Sequence, residues 1–243
     1  MDERLGVITL YQYPTSPEVP NLSPFCMKAE TWLKLAGLPY EISWLANPRK
    51  APHGKLPYIV DGADVVADSH NIIEHLSKKY SVDLDKNLSA EQKAQARAFE
   101  RLLSDHLYWA GIIHPRWAEP RGWAQVKPVF FGPLPAPLRG FVANLVRKKT
   151  LGYLDGQGLG RIPPDEIRRR AEQDIQALAD YLGGKAYFMG AEATNADAGV
   201  YAFLANLWEC HFDTPLKAVV GKHRNLVEYC ARMRARCFPD MKK

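Results

Sequence analysis

The chain changes character once, around Ser81–Leu88, and no other feature limits its fold as much. Ahead of that point, short alternating runs of β-forming residues are interleaved with helical spacing. Behind it, almost every run has a helical period. Its 243 residues suffice for two ordinary domains. The expected organisation is an α/β half over 1–83 and an all-α half over 89–243, with a Pro/aromatic-rich insertion near 115–140. No internal repeat is visible.

In the first half, Val7–Tyr11 alternates as a strand, within a longer strand-like run Gly6–Tyr13. Phe25, Ala29, Trp32, Leu33 and Ala36 recur at helical spacing, and Gly37 ends that helix. Tyr40–Leu45 reads as a second strand. Leu56–Val60 and Val65–Ala67 flank Asp61-Gly62, a hairpin signal. Ser69–Tyr80 is a second helix, with Ile72, Ile73, Leu76 and Tyr80 on one stripe. In the second half, Ser89 and Gln92 form a capping box opening a long helix to about Trp117. Further helices are expected over Ile162–Leu182, near Ala196–Glu209 and over Leu226–Ala235. Between Pro115 and Pro137 stand six prolines with Trp117, Trp123, Phe130 and Phe131. That proline density argues against one continuous helix, and the rings either plug a core or line a pocket.

Composition narrows the function classes. The start, Met1-Asp2-Glu3-Arg4, is not that of a secretory signal, and no apolar run approaches the ~18 residues of a membrane span. Cys26, Cys210, Cys230 and Cys237 form no Cys-x-x-Cys pair, which points to free thiols, a reducing, cytoplasmic compartment and no zinc. His106 and His114 lie eight apart, not at the three- or four-residue spacing of a metal pair, so no metal is expected. The net charge of +5 gathers in Arg147–Lys149, Arg168–Arg170, Arg232–Arg236 and Lys242-Lys243. These clusters lack interleaved aromatics, and Asp165, Glu166 and Glu172 flank the second; they read as solvated helix faces and not as a nucleic-acid surface.

The chemistry concentrates at Asn21-Leu22-Ser23-Pro24-Phe25-Cys26, between the first strand and the first helix. Ser23 is a preferred cap and Pro24 suits the first helical position, so a purely structural role explains both. The same position also favours an anion, because free N–H groups and the helix dipole converge there. Cys26, one turn in, reads as a buried apolar thiol. Lys55-Leu56-Pro57-Tyr58 puts a proline at a strand start, where a cis bond would turn the Leu56 backbone outward toward an extended ligand. Asp68-Ser69 caps the second helix, or forms a second anion site with a carboxylate beside it.

As a set, Tyr11, Ser23-Pro24-Phe25-Cys26, Lys55-Leu56-Pro57-Tyr58 and Asp68-Ser69 resemble the thioredoxin-like, glutathione-binding half of the soluble glutathione transferase superfamily. Thr194-Asn195-Ala196-Asp197 resembles the capping motif of its helical half. Pro20–Cys26, Leu107-Tyr108-Trp109 and Gly158-Leu159-Gly160-Arg161 look like the failed-axon-connections and metaxin-related branch. The resemblance implies a thioredoxin-like domain followed by a helical bundle, glutathione as co-substrate, and a homodimer. It puts Ser23 where the family has its catalytic serine or cysteine. Lys55, Leu56 and Pro57 fall where the family meets the glycyl and cysteinyl parts of glutathione, and Asp68 and Ser69 where it holds the γ-glutamyl end. A serine in the first position of the Cys-Pro-x-Cys pattern favours thiolate activation over disulfide exchange. The linker Pro14–Leu22 is longer than usual, which leaves Tyr11 or Tyr13 as rival hydroxyl donors.

A free thiol has a pKa of ~8.5, and lowering it by two units takes about 2.7 kcal/mol. A helix N-terminus supplies roughly 0.3–2 kcal/mol and one hydrogen bond to a charged group roughly 1.5–3. Ser23 and the helix end therefore suffice for a glutathione transferase that attacks a small apolar electrophile, held near Trp109, Trp117, Phe130 and Phe131. Two alternatives remain open in the sequence: a non-catalytic adaptor on the same fold, and a thiol oxidoreductase working through Cys26.

Overall fold

Strand β1 (Ile8–Gln12) lies at the centre of a four-stranded sheet ordered β2-β1-β3-β4. The computed structural model describes residues 7–241, so the expected strand start at Gly6, the N-terminal reading on Met1–Arg4 and the Lys242-Lys243 cluster lie outside the described residues. Helix α1 (Pro24–Ala36) is the crossover between β1 and the parallel strand β2 (Tyr40–Trp44). The left-handed Gly37 (φ 67°) stops it, donating its N–H to the Leu33 and Lys34 carbonyls. Strands β3 (Tyr58–Asp61) and β4 (Asp64–Ala67) form an antiparallel hairpin about Gly62, also at positive φ. Helix α2 (Ser69–Lys79) follows directly.

Ile8, Leu10, Trp32, Leu33, Ile59, Ile72 and Leu76 form the core between this sheet and its two helices. Trp32 is fully buried; removing ~200 Å² of ring from water stabilises the fold by at most about 5 kcal/mol. Its indole N–H donates to Asn195 Oδ1 at 2.6 Å, in the other half of the chain.

The helical half begins with α3 (Ala90–Arg101), closed by the reciprocal Ser89–Gln92 capping box. The expected long helix to Trp117 is present, but from Leu102 to Ala118 it widens into a π-helix. An α-helical turn would drive the Pro115 ring into the carbonyl four residues back. The wide turn avoids this, and beyond the proline Glu119 donates its N–H five residues back to the His114 carbonyl.

The proline-rich span is not one continuous helix, as expected, but it is more helical than its prolines suggest. It holds helix α4 (Pro120–Phe131) and the start of α5 (Ala136–Gln157). Pro120 occupies the first position of α4, Pro135 the cap of α5 and Pro137 its first turn, where a missing N–H costs nothing. Three prolines thus start helices, and the break falls only at 132–135. Trp117, Trp123, Phe130 and Phe131 pack on one another at centroid separations of 5.6–6.4 Å, with the Arg147 guanidinium over Trp123. They plug the core edge. Helices α6 (Pro164–Leu182), α7 (Asn195–Trp208), α8 (Pro215–Lys222) and α9 (Arg224–Cys237) complete the bundle. The expected stripe Ile167, Ala171, Ile175, Leu178 and Leu182 is buried in its core.

The basic cluster on α6 is internally paired, Arg168 with Asp165 and both Arg169 and Arg170 with Glu166. All four cysteines are free and buried. Among the described residues, no helix is long and apolar enough to cross a membrane.

Candidate active site

Sheet register explains how distant sequence motifs converge. Tyr11 pairs with Tyr58, and Tyr58 with Ala67, so these three residues form one row across the sheet. The chain leaves that row toward Ser23 from β1, arrives through Leu56-Pro57 at β3, and departs into Asp68-Ser69 from β4. The three motifs therefore sit at one end of the sheet.

Ser23 is the N-cap of α1. Its Oγ accepts the Cys26 N–H at 3.4 Å, a long capping bond, while its carbonyl accepts the Met27 N–H at 3.0 Å. Its own N–H donates to Asn21 Oδ1 at 3.0 Å, and Asn21 Nδ2 donates to the Tyr13 carbonyl at 2.7 Å. Capping uses only a lone pair, so the half-buried hydroxyl can still donate its proton. No acidic residue stands in the first turn of α1, so the positive end of the helix is not neutralised locally. The long linker does not displace Ser23 from the cap. It is pinned to the helical half, where Arg234 donates to the Glu18 carbonyl and His211 lies 3.2 Å from the Glu18 carboxylate.

Cys26, Leu56 and Ala51 share a small apolar cluster with Tyr11, Tyr13, Leu45 and Tyr58. Burial pushes the Cys26 thiol up to about 12 despite hydrogen bonds from Ser23 and the Tyr13 backbone, so at neutral pH it is a protonated core residue. Tyr13 is likewise driven well up by burial, with Cys26 and Tyr108 adding to the shift. Tyr11 lies flat on Tyr58, with centroids 4.3 Å apart and planes 8° from parallel.

The Leu56–Pro57 bond is cis. Leu56 lies outside the β3 ladder, and the Pro57 carbonyl accepts the Asp68 N–H at 3.3 Å, which ties the second motif to the third. Asp68 caps α2 by accepting the His70 N–H at 2.8 Å, from a left-handed φ of 79°. Such a conformation costs an aspartate on the order of 1–3 kcal/mol and is retained where the surroundings demand it. Lys55 and Asp68 are exposed, and Ser69 is buried beneath them.

The helical half supplies the facing wall. Tyr108, on the π-helix, packs edge-on to Phe25 at 4.8 Å, beside Phe203 and Trp109. Burial raises its phenol to about 12, with Arg116 opposing and Cys26 adding to the rise. Tyr108 thus faces α1 with Trp109 beside it, whereas Trp117, Phe130 and Phe131 belong to the separate aromatic cluster. Sequence reasoning did not single out Arg116, Asn206 or Tyr108 as site residues. Each sits in an apolar run whose helical period announces only packing.

Asp61, Asp64 and His75 lie close enough to share a cation, but the Lys79 ammonium already sits 3.0 Å from Asp61 and 3.3 Å from Asp64. His106 pairs with Asp174 and His114 with Glu119.

Known proteins place this arrangement. Residues 24–122 match the glutathione S-transferase N-terminal domain and residues 171–233 the glutathione S-transferase C-terminal domain. An isoprene-epoxide–glutathione S-transferase of Rhodococcus sp. is 36% identical over 94% of this chain and 98% of its own. The chain belongs to the glutathione S-transferase family. Failed axon connections of Drosophila melanogaster is 34% identical over 96% of this chain, which spans 59% of the fly protein's length. Human metaxin-1 is 27% identical over 91% of the chain and 49% of its own. The chain is thus similar to metaxin-related proteins as well as to a glutathione transferase. A glutathione transferase structure from Phanerochaete chrysosporium superposes with a TM-score of 0.68 at 21% identity, covering 96% of this chain and 98% of that one, and shows the same fold.

Proposed function

We propose that the protein is a glutathione transferase in which Ser23 activates the glutathione thiol for attack on a small apolar electrophile. One observation carries this reading: the Ser23 hydroxyl, capping a helix end with no local acid, shares one end of the sheet with Leu56-Pro57 and Asp68-Ser69. Ser23 and the α1 N–H groups stabilise the thiolate. Leu56 offers unpaired backbone to the cysteinyl unit, and Lys55 a cation to the glycyl carboxylate. Ser69, at the start of α2, takes the γ-glutamyl carboxylate, and Asp68 its ammonium. The name of the Rhodococcus relative makes an epoxide the class to try first. The thiol proton leaves to water, sulfur forms a bond to a ring carbon as the carbon–oxygen bond breaks, and the oxygen is protonated by Tyr108 or solvent.

We further propose a cytoplasmic homodimer, each chain being divided into a thioredoxin-like unit over 1–83 and a helical unit over 89–243. The four unoxidised thiols favour a reducing compartment. The exposed row Leu138, Phe141 and Leu145 on α5 offers an apolar face, Phe141 being 71% exposed.

Likeness to the metaxins and to Failed axon connections favours a second reading, an adaptor that has kept the fold without the chemistry. Disulfide exchange through Cys26 is not favoured, because its thiol is buried and protonated. Calorimetric titration with glutathione, followed by conjugation rates against pH, separates the readings. Saturable binding with turnover supports the transferase, and no heat at millimolar glutathione supports the adaptor.

A further inference from the structure

Arg116 is 4% exposed, yet among the described residues no carboxylate lies within ion-pairing distance of it. Its guanidinium is met only by neutral groups. Nη1 donates to the Leu22 carbonyl at 3.0 Å, and Nη2 donates to the Asn206 carbonyl at 2.6 Å, to Asn206 Oδ1 at 3.1 Å and to Cys210 Sγ at 3.5 Å. The Phe212 ring covers its face at 4.7 Å. A guanidinium does not deprotonate in a protein, so burial leaves a whole positive charge inside the molecule. Buried charges are ordinarily paired. This one abuts the carbonyl of the residue before Ser23.

Asn206 completes the mounting. Its Nδ2 donates to the Asn21 carbonyl at 3.0 Å, so Arg116 and Asn206 hold two consecutive carbonyls of the loop that delivers Ser23. The field of Arg116 already reaches the site, since it opposes the effect of burial on the Tyr108 phenol.

We propose that Arg116 is a positioning residue whose unpaired charge completes the anion site at Ser23, lowering the cost of a thiolate on bound glutathione while its hydrogen bonds fix the Ser23 loop. This rests on the glutathione reading above. The counter-charge to Arg116 then arrives with the ligand. The titratable groups around it are Tyr108 on the π-helix, Cys210 after α7 and His211 beyond Phe212. Those around the first turn of α1 are Tyr13, Cys26 and Glu30. Tyr13, Cys26 and Tyr108 are all held protonated by burial and stay silent across neutral pH.

The test is ultraviolet titration of the thiolate of bound glutathione. Arg116→Gln removes the charge. Asn206→Asp neutralises it with a near-isosteric carboxylate and is independent of whether Arg116→Gln folds. Each is expected to raise the bound thiol pKa by about one unit, a roughly tenfold smaller thiolate-to-thiol ratio at a given pH, with Arg116→Lys recovering most of the shift. An unchanged thiol pKa in either variant, folded by circular dichroism and still binding glutathione, overturns the proposal. Absence of glutathione binding by the unaltered protein overturns instead the reading on which it stands.

Discussion

Two of the helix starts in this molecule that carry a hydroxyl cap do opposite things with it. At α7, Thr194 and Asp197 form a closed, buried capping box. The Asp197 carboxylate accepts from the Thr194 N–H at 2.8 Å, the Thr194 hydroxyl at 2.9 Å, the Phe188 N–H at 2.7 Å and the Tyr229 hydroxyl at 3.0 Å. The helix end there is neutralised and its hydroxyl proton committed. At α1, Ser23 accepts one long bond, has no acid in the first turn, and holds its hydroxyl against the Cys26 thiol with no carboxylate to take its proton. The same local signal, a hydroxyl before a helix, is a closed fastening in one case and an open cap in the other. The difference lies in whether an acid at the third helical position closes the box.

The contrast breaks first at Asp197. Asp197→Ala strands four buried donors, and chemical denaturation should show a loss of about 3 kcal/mol or more, with activity falling only as the folded population falls. Ser23→Ala should show the reverse. Conjugation drops by about 10²-fold or more, while stability changes by about 1 kcal/mol or less. A stability loss at Ser23 equal to that at Asp197 would make both caps structural.

A third expectation concerns acid. Burial alone raises Glu100, but Lys28 at 2.8 Å, Arg97 and His70 outweigh it and bring its carboxyl down to about 2. A depressed carboxyl stabilises the fold above its unfolded pKa and loses that contribution as pH falls toward 2. Wild type should therefore weaken between about pH 4.5 and 2 more steeply than Glu100→Gln, as followed by thermal melts. Because Lys28 lies on α1 and Glu100 on α3, this acid step removes an ion pair that ties the open cap's helix to the helical half. The smallest effect belongs to Cys26. With its thiol raised to about 12, alkylation at neutral pH should be slow in the folded protein, and Cys26→Ala should leave the rate–pH profile of conjugation in place. A low-pKa, rapidly alkylated Cys26 would move the chemistry from the cap to the thiol.

Much of this was legible beforehand because it is local. Ser23-Pro24, Gly37, Asp61-Gly62 and the Ser89–Gln92 box each act within one turn, and each marks the boundary it announces. The convergence of Ser23, Leu56 and Asp68 followed only from family resemblance, since strand register decides it. Helices α4 and α5 were missed because proline was weighed as a breaker. Pro120, Pro135 and Pro137 occupy caps and first turns, where the chain has no N–H to satisfy. Arg116 had no signal at all. A single arginine after His114-Pro115 looks like any solvated cation until Leu22 and Asn206, each more than 80 residues away in sequence, are folded onto it.

The stitching of α1 into the other half has a mechanical consequence. Trp32 is bonded to Asn195, Lys28 to Glu100, Asn21 to Asn206, and Ala198 of α7 sits inside the sheet's own core. Two bodies joined this way have no hinge line between them. Strain applied to the helical half is therefore passed directly into α1 and the cap it carries.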